Sequence, residues 1–265
     1  MMRIGIAGLG TIGLEVARRL KVGIPHLTLV AVAVRDPAKA AEQIDLSGIE
    51  VASFEQLART CDVVVECLPP ALFREVAAPI VAAGRILMPL SVGQLLSHWD
   101  LVEQARPSGA RILVPTGALL GLDAVRAAAE GEIHSVTLIT RKPPRGLAGA
   151  PHVQRLGLSL DRLDSPLKVF AGSAREAALG FPANVNVAVA LSLAGIGPDR
   201  TQVEIWADPT LSRNTHRIEV DADSARFTMS IEGLPSPSNP RTGRLTPLSV
   251  VAALRGLVSE LKIGT

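Results

Sequence analysis

The chain has no tyrosine, and only five phenylalanines and two tryptophans among its 265 residues. Stacking on nucleic-acid bases would have few side chains to use. An excess of one charge is also missing: 27 Lys and Arg stand against 25 Asp and Glu, a net charge of +2, with no basic run. Nucleic acid is therefore not an expected partner. No apolar run approaches the roughly 20 residues that cross a bilayer, so no membrane span is expected. Only two cysteines occur, Cys61 and Cys67, in or beside one predicted strand and without metal-ligand spacing. A disulfide there would distort the strand, so reduced thiols and no metal are expected. The first residues enter a folding motif at once, so no leader is expected, and the cytoplasm is the expected compartment. With 48% hydrophobic and 20% charged residues the chain reads as globular, long enough for one large domain or two small ones.

What is present begins at the N-terminus. Arg3-Ile4-Gly5-Ile6-Ala7 is a short apolar run, followed by Gly8-Leu9-Gly10-Thr11-Ile12-Gly13 and an amphipathic stretch through Leu20. Strand, glycine turn and helix in this order give the G-x-G-x-x-G spacing its meaning as a dinucleotide site. Gly8 permits the tight turn, Gly10 lets a pyrophosphate approach, and Gly13 lets helix and strand pack closely. The N–H groups of the helix start, including Thr11 and Ile12, suit a diphosphate. The alternative is a sharp turn that only needs glycine.

Residues 26–34 form a nearly continuous apolar strand ending in Arg35-Asp36-Pro37. An acid at this strand end binds a ribose hydroxyl and an arginine welcomes a 2′-phosphate, so NAD and NADP both stay open. Asp36 before Pro37 reads equally as a helix N-cap. Strands at Asp62–Cys67, Ile86–Met88 and Arg111–Val114 then alternate with helices, the pattern of a doubly wound parallel sheet. After about residue 120 the pattern changes. Ile133–Thr140 is a strand with no quick helical return, and residues 141–165 read as an irregular loop that would close over a substrate. Thr201–Ala207 and Ala225–Glu232 alternate as half-buried antiparallel strands, and a helix from Thr246 through about residue 263 ends the chain. The expected domains are 1–120, binding dinucleotide, and 121–245, binding substrate, with helix 246–263 packing back on the first.

Within Asn214 to Asp221 the period of two puts His216 on the apolar face with Ile218 and Val220, and Thr215, Arg217 and Glu219 on the other. A histidine there is either a satisfied core residue or a catalytic one. Of the other four, only His152 in the long loop is a rival.

The chain resembles the L-aspartate dehydrogenase family. The resemblance rests on Gly8–Gly13, Ser91-Val92-Gly93, Thr116–Ala124, Thr140-Arg141-Lys142-Pro143-Pro144, Phe170–Val187, Ala207-Asp208-Pro209 with Asn214-Thr215-His216, and Ser238-Asn239-Pro240-Arg241-Thr242. It implies an α/β fold, with an N-terminal Rossmann domain and a C-terminal α+β domain on a largely antiparallel or mixed sheet. It makes His216 catalytic and places cofactor contacts at Leu120, through its backbone, and at Asn186, with Asn184 a close second. The implied reaction is NAD- or NADP-dependent oxidative deamination of L-aspartate to iminoaspartate. That product feeds NAD synthesis or hydrolyses to oxaloacetate and ammonia. A histidine with a pKa near neutrality suits the proton transfer. Arg141, Lys142, Arg145, Arg213 and Arg241 are candidates for the substrate carboxylates. A homodimer is expected, paired through the open sheet of the second domain. The competing readings are a reductase of another imine or oxo-acid, of the dihydrodipicolinate reductase type, and a non-catalytic nucleotide sensor.

Overall fold

The computed structural model describes all residues except 183, 184, 238, 240, 241 and 265. They form two compact units, residues 1–117 with 246–263, and residues 118–245 with Gly264.

The first unit is built on β1 (Met2–Ala7), β2 (Leu27–Ala33), β3 (Glu50–Val51), β4 (Val63–Glu66), β5 (Ile86–Pro89) and β6 (Arg111–Ile112). All pair in parallel, in the order β3-β2-β1-β4-β5-β6. Helices α1 (Thr11–Val22), α2 (Pro37–Gln43), α3 (Phe54–Thr60), α4 (Phe73–Ala82) and α5 (Trp99–Ser108) connect them. Both faces of the sheet are covered, so Val63 to Glu66 are all buried. The strand order reverses between β1 and β4, the point where such sheets place ligands. The final helix, Leu245–Val258, packs Val250, Val251 and Leu254 into this core beside Ile4, Val32 and Met88. It ends at Val258, short of the expected end near residue 263, and Leu261 is 73% exposed.

Local signals set several boundaries. Asp36 caps α2, its Oδ1 accepting from the Lys39 N–H at 3.1 Å, with Pro37 at the first helical position. Ser53 and Gln56 form a reciprocal capping box at α3. A 3₁₀ turn, Val92–Leu96, precedes α5, and His98 lies at the junction, stacked on Phe73.

The second unit contains β7 (Ile133–Lys142), β8 (Leu167–Ser173), β9 (Gln202–Ala207), β10 (Asn214–Ala222) and β11 (Arg226–Gly233), in the order β11-β10-β7-β9-β8. Its sheet is mixed. β9 runs parallel to β7 and antiparallel to β8, so it is not the purely antiparallel strand that alternation suggests. Its helices are α6 (Leu122–Ala128), α7 (Pro151–Arg155), α8 (Ala174–Gly180) and α9 (Asn186–Ala194). Val136 of β7 lies under the α6–α9 layer, close to Gly195 and Val125, so the face carrying Val136, Leu138 and Thr140 is the covered one.

Residues 141–165 are not an irregular loop. They hold a 3₁₀ turn at Pro144–Gly146 and α7, whose first residue is Pro151. Leu147, Ala150, Val153 and Leu160 are buried. Those anchors oppose the free closing motion that length and glycine content suggest.

Candidate active site

The three glycines of the first turn are required for three different reasons. Gly8 has φ +95°, and a Cβ there would meet the Cys67 carbonyl oxygen at 2.7 Å. A Cβ on Gly13 would meet the Gly8 carbonyl oxygen at 2.0 Å, so helix and strand touch through this residue. A Cβ on Gly10 would meet nothing within 4 Å. The protein therefore has no internal need of glycine there, and the space in front of it suits a close-approaching ligand. Gly10 starts α1 without a side-chain cap, and the first intrahelical bond is Leu14 N–H to the Gly10 carbonyl. The N–H groups of Thr11, Ile12 and Gly13 thus present the positive end of α1. These residues fit a dinucleotide diphosphate. Arg35 and Asp36 are exposed at the end of β2, the strand next to β1. Asp36 caps α2 with one carboxylate oxygen, so a ribose would share this side chain with the helix.

Glu66 is a residue that motif reading missed. It ends β4 with no solvent exposure. Its carboxylate accepts from the N–H groups of Leu68 at 2.8 Å, Leu90 at 3.2 Å and Ser91 at 3.0 Å, and from the Ser91 hydroxyl at 3.0 Å. Burial pushes its pKa up, and these donors oppose that push. The carboxylate ties together the loops that leave β4 and β5, both on the carboxyl-end rim of the sheet. Glu66→Gln is expected to cost about 1–3 kcal/mol of stability, because the amide nitrogen turns a donor toward donors. Denaturant unfolding measures it. The signal in the sequence was one acid closing an apolar run, Val63-Val64-Val65-Glu66.

In the second unit, His216 lies on the covered face, 5% exposed. It stands opposite Thr140 of β7 on one side and Ile231 of β11 on the other. The Thr140 hydroxyl is 3.0 Å from His216 Nδ1. Lys142, two residues further along β7, shares this face and is 7% exposed. Burial first, and then the charge of Lys142, pull the imidazole pKa down to about 3. A value near neutrality, as the reaction suggests, is thus not what the ligand-free site provides. Removal from water disfavours the charged imidazolium, and a cation on the same face disfavours it further. Burial also pulls Lys142 down to about 8.

Leu120 precedes Gly121, which has φ +68° at the start of α6 and packs against Met229 of β11. Met229 pairs with Ile218, in the row next to His216, so the Leu120 turn lies over the same sheet face. Asn186 is exposed at the first position of α9. Asn184 lies outside the described residues, as do Ser238, Pro240 and Arg241. Of the other carboxylate candidates, Arg141 is on the opposite face, 4.8 Å over Trp206 and 3.4 Å from Asp208. Arg145 and Arg213 are exposed. His152, the rival histidine, packs against Phe170 and Phe181 and accepts from Arg155. It borders a cavity of about 600 Å³, which His216 does not line.

A dinucleotide cradle in one unit, and in the other a buried histidine fixed by a hydroxyl on a covered sheet face, define a nicotinamide-dependent oxidoreductase. Residues 8–115 match the family described as homoserine dehydrogenase, NAD binding domain, and residues 123–257 match aspartate dehydrogenase, C-terminal. The chain belongs to the aspartate dehydrogenase family. It is 56% identical to an L-aspartate dehydrogenase of Bradyrhizobium diazoefficiens, over 100% of this chain and 94% of the relative. It is 50% identical to L-aspartate dehydrogenase 3 of Bordetella bronchiseptica, over 99% and 97%. The crystal structure of aspartate dehydrogenase from Thermotoga maritima superposes with a TM-score of 0.77 at 26% identity, covering 100% of both chains. No helix among the described residues is long and apolar enough to cross a membrane.

Proposed function

We propose that this protein catalyses the NAD(P)-dependent oxidative deamination of L-aspartate to iminoaspartate, with His216 as the proton acceptor. The observation that carries the role of His216 is its buried contact with Thr140. A base at Nε2 needs the tautomer in which Nδ1–H donates to the Thr140 hydroxyl, and this contact favours that ring orientation. The imidazole is unprotonated throughout the neutral range, so it is ready to take a proton from the substrate α-ammonium. The bound nicotinamide supplies the acceptor for the Cα hydride. Gly8, Gly10 and the N–H groups of Thr11, Ile12 and Gly13 hold its diphosphate, Arg35 and Asp36 its adenosine ribose, and Leu120 and Asn186 further atoms of the cofactor. Water then hydrolyses the imine to oxaloacetate and ammonia, unless it is consumed in NAD synthesis.

The free thiols of Cys61 and Cys67 suit a reducing compartment, here the cytoplasm. A homodimer paired through the second sheet, by the face of Arg141, Trp206 and Arg217, is the proposed assembly. The function is tested by presenting each amino acid with NAD or NADP and following the near-ultraviolet absorbance of the reduced nicotinamide. Turnover of aspartate alone is expected. Turnover of a different amine or oxo-acid would move the protein to the imine-reductase reading, and cofactor binding without turnover to the sensor reading.

A further inference from the structure

A fully buried carboxylate is a costly way to tie two loops together, because neutral hydrogen-bonding groups would avoid the desolvation of a charge. Glu66 has no solvent exposure, and both of its oxygens carry donors. Oε1 accepts from the Leu68 N–H and the Ser91 hydroxyl, and Oε2 from the N–H groups of Leu90 and Ser91. Three backbone donors that cannot turn away mark an ionised carboxylate. The Ser91 hydroxyl also lies 3.3 Å from the Leu68 carbonyl oxygen, which closes the two loops on each other. The clamp reaches the glycine turn as well. The Cys67 N–H donates to the Ala7 carbonyl at 2.8 Å. The Cys67 carbonyl oxygen and Leu68 Cδ2 stand 2.7 and 3.0 Å from where a Gly8 Cβ would be. One charge thus sets the ends of β1, β4 and β5 against each other.

The strand order β3-β2-β1-β4-β5-β6 gives that charge a neighbour. With the adenosine ribose at the end of β2 and the diphosphate over the turn after β1, the other nucleotide falls on the ends of β4 and β5. We propose that Glu66 is a positioning residue for the nicotinamide half of the cofactor, and that its buried negative charge makes the site favour the oxidised, cationic ring over the reduced, neutral one. This rests on the dinucleotide reading of the glycine turn.

Only the oxidised ring carries a positive charge, and the carboxylate acts on it through a protein rim of low dielectric. The N–H dipoles around Glu66 hold it ionised but leave its unit charge in place. The ion pair of Arg3 with Asp62 lies at the other end of β4, before Val63, so it does not offset this charge. Burial keeps the neighbouring Cys67 thiol protonated and neutral. The reduced form is therefore left with its shape and its diphosphate contacts alone. A cofactor held this way binds more firmly in the form that deamination consumes and departs more readily in the form that it produces.

The test is calorimetric titration of the protein with both redox forms of the cofactor, NAD or NADP, that it binds more tightly. Glu66→Gln should weaken the oxidised form about tenfold more than the reduced form, which raises the potential of the bound couple by about 30 mV. Glu66→Asp keeps the charge but draws it back from its donors. It should weaken both forms and leave their ratio within about twofold of the original. A purely structural carboxylate predicts equal losses for the two forms in both variants, and that result would overturn the proposal. The unaltered protein gives a reading that no folding defect in Glu66→Gln can spoil. It should bind the oxidised form at least as tightly as the reduced form, with a ratio steady between about 0.05 and 0.5 M salt, because a buried charge is little screened. Reduced cofactor bound about tenfold more tightly than oxidised would overturn the bias and leave the cofactor site standing. Failure to bind either form would instead overturn the dinucleotide reading beneath it.

Discussion

His216→Ala is expected to lower kcat for aspartate by about 10²- to 10⁴-fold while leaving the dissociation constant of the cofactor within about twofold of its original value. The proposed diphosphate cradle is the first unit's glycine turn, whereas the imidazole sits in the second sheet between Thr140 and Ile231. Steady-state kinetics and cofactor titration give the two numbers separately. A variant that loses both together would make the histidine a structural residue of that sheet. Acid stability gives an independent check. The unfolded chain takes a proton on histidine below about pH 6.5, whereas the folded imidazole takes one only near 3. Between those values the unfolded state binds more protons, so stability falls as pH falls. A histidine held that way is destabilising in acid, and His216→Ala should flatten the decline. Added imidazole should restore part of the lost rate, because the substitution leaves a cavity of its own shape beside Thr140.

Much of this arrangement was legible before any coordinates. The glycine spacing, the apolar runs of β1, β2 and β4, and the alternation in β10 are local properties, and local properties are what a sequence displays directly. The side of the sheet that His216 occupies followed from a period of two. The long-range relations were not legible. Thr140 and His216 lie 76 residues apart, and only the β7–β10 register makes them neighbours. The same register turns Lys142 inward and Arg141 outward, so two adjacent cations with the same sequence credentials end in opposite environments. Glu66 was hidden for a related reason: its donors come from loops after two different strands. The shift of the imidazole away from neutrality was hidden too, since desolvation is a property of the packed unit and not of the residue type. In the stretch 141–165, proline and glycine suggested an irregular loop, whereas Pro151 starts a helix and four apolar side chains pin the segment down.

Gly10→Ala and Gly13→Ala are expected to part company, although both remove one hydrogen from the same turn. At Gly13 the new methyl would sit 2.0 Å from the Gly8 carbonyl oxygen, a backbone atom that cannot move without shifting β1. Gly13→Ala should therefore lose about 1–3 kcal/mol of stability, typical of overpacking, and also lose cofactor affinity as α1 is pushed off the strand. At Gly10 the methyl meets nothing within 4 Å, so denaturant unfolding should be unchanged or slightly improved by the smaller entropy of the unfolded chain. If the diphosphate approaches over Gly10, that same methyl occupies its place, and NAD(P)H affinity should fall by about 100-fold or more. One variant then reports how the turn is packed and the other what the turn is for. Intact cofactor affinity in Gly10→Ala would mean that the diphosphate lies elsewhere on this rim, since no internal contact explains the glycine. In that case the N–H groups of Thr11, Ile12 and Gly13 would face solvent, and the positive end of α1 would lose the anion that its uncapped first turn is built to receive.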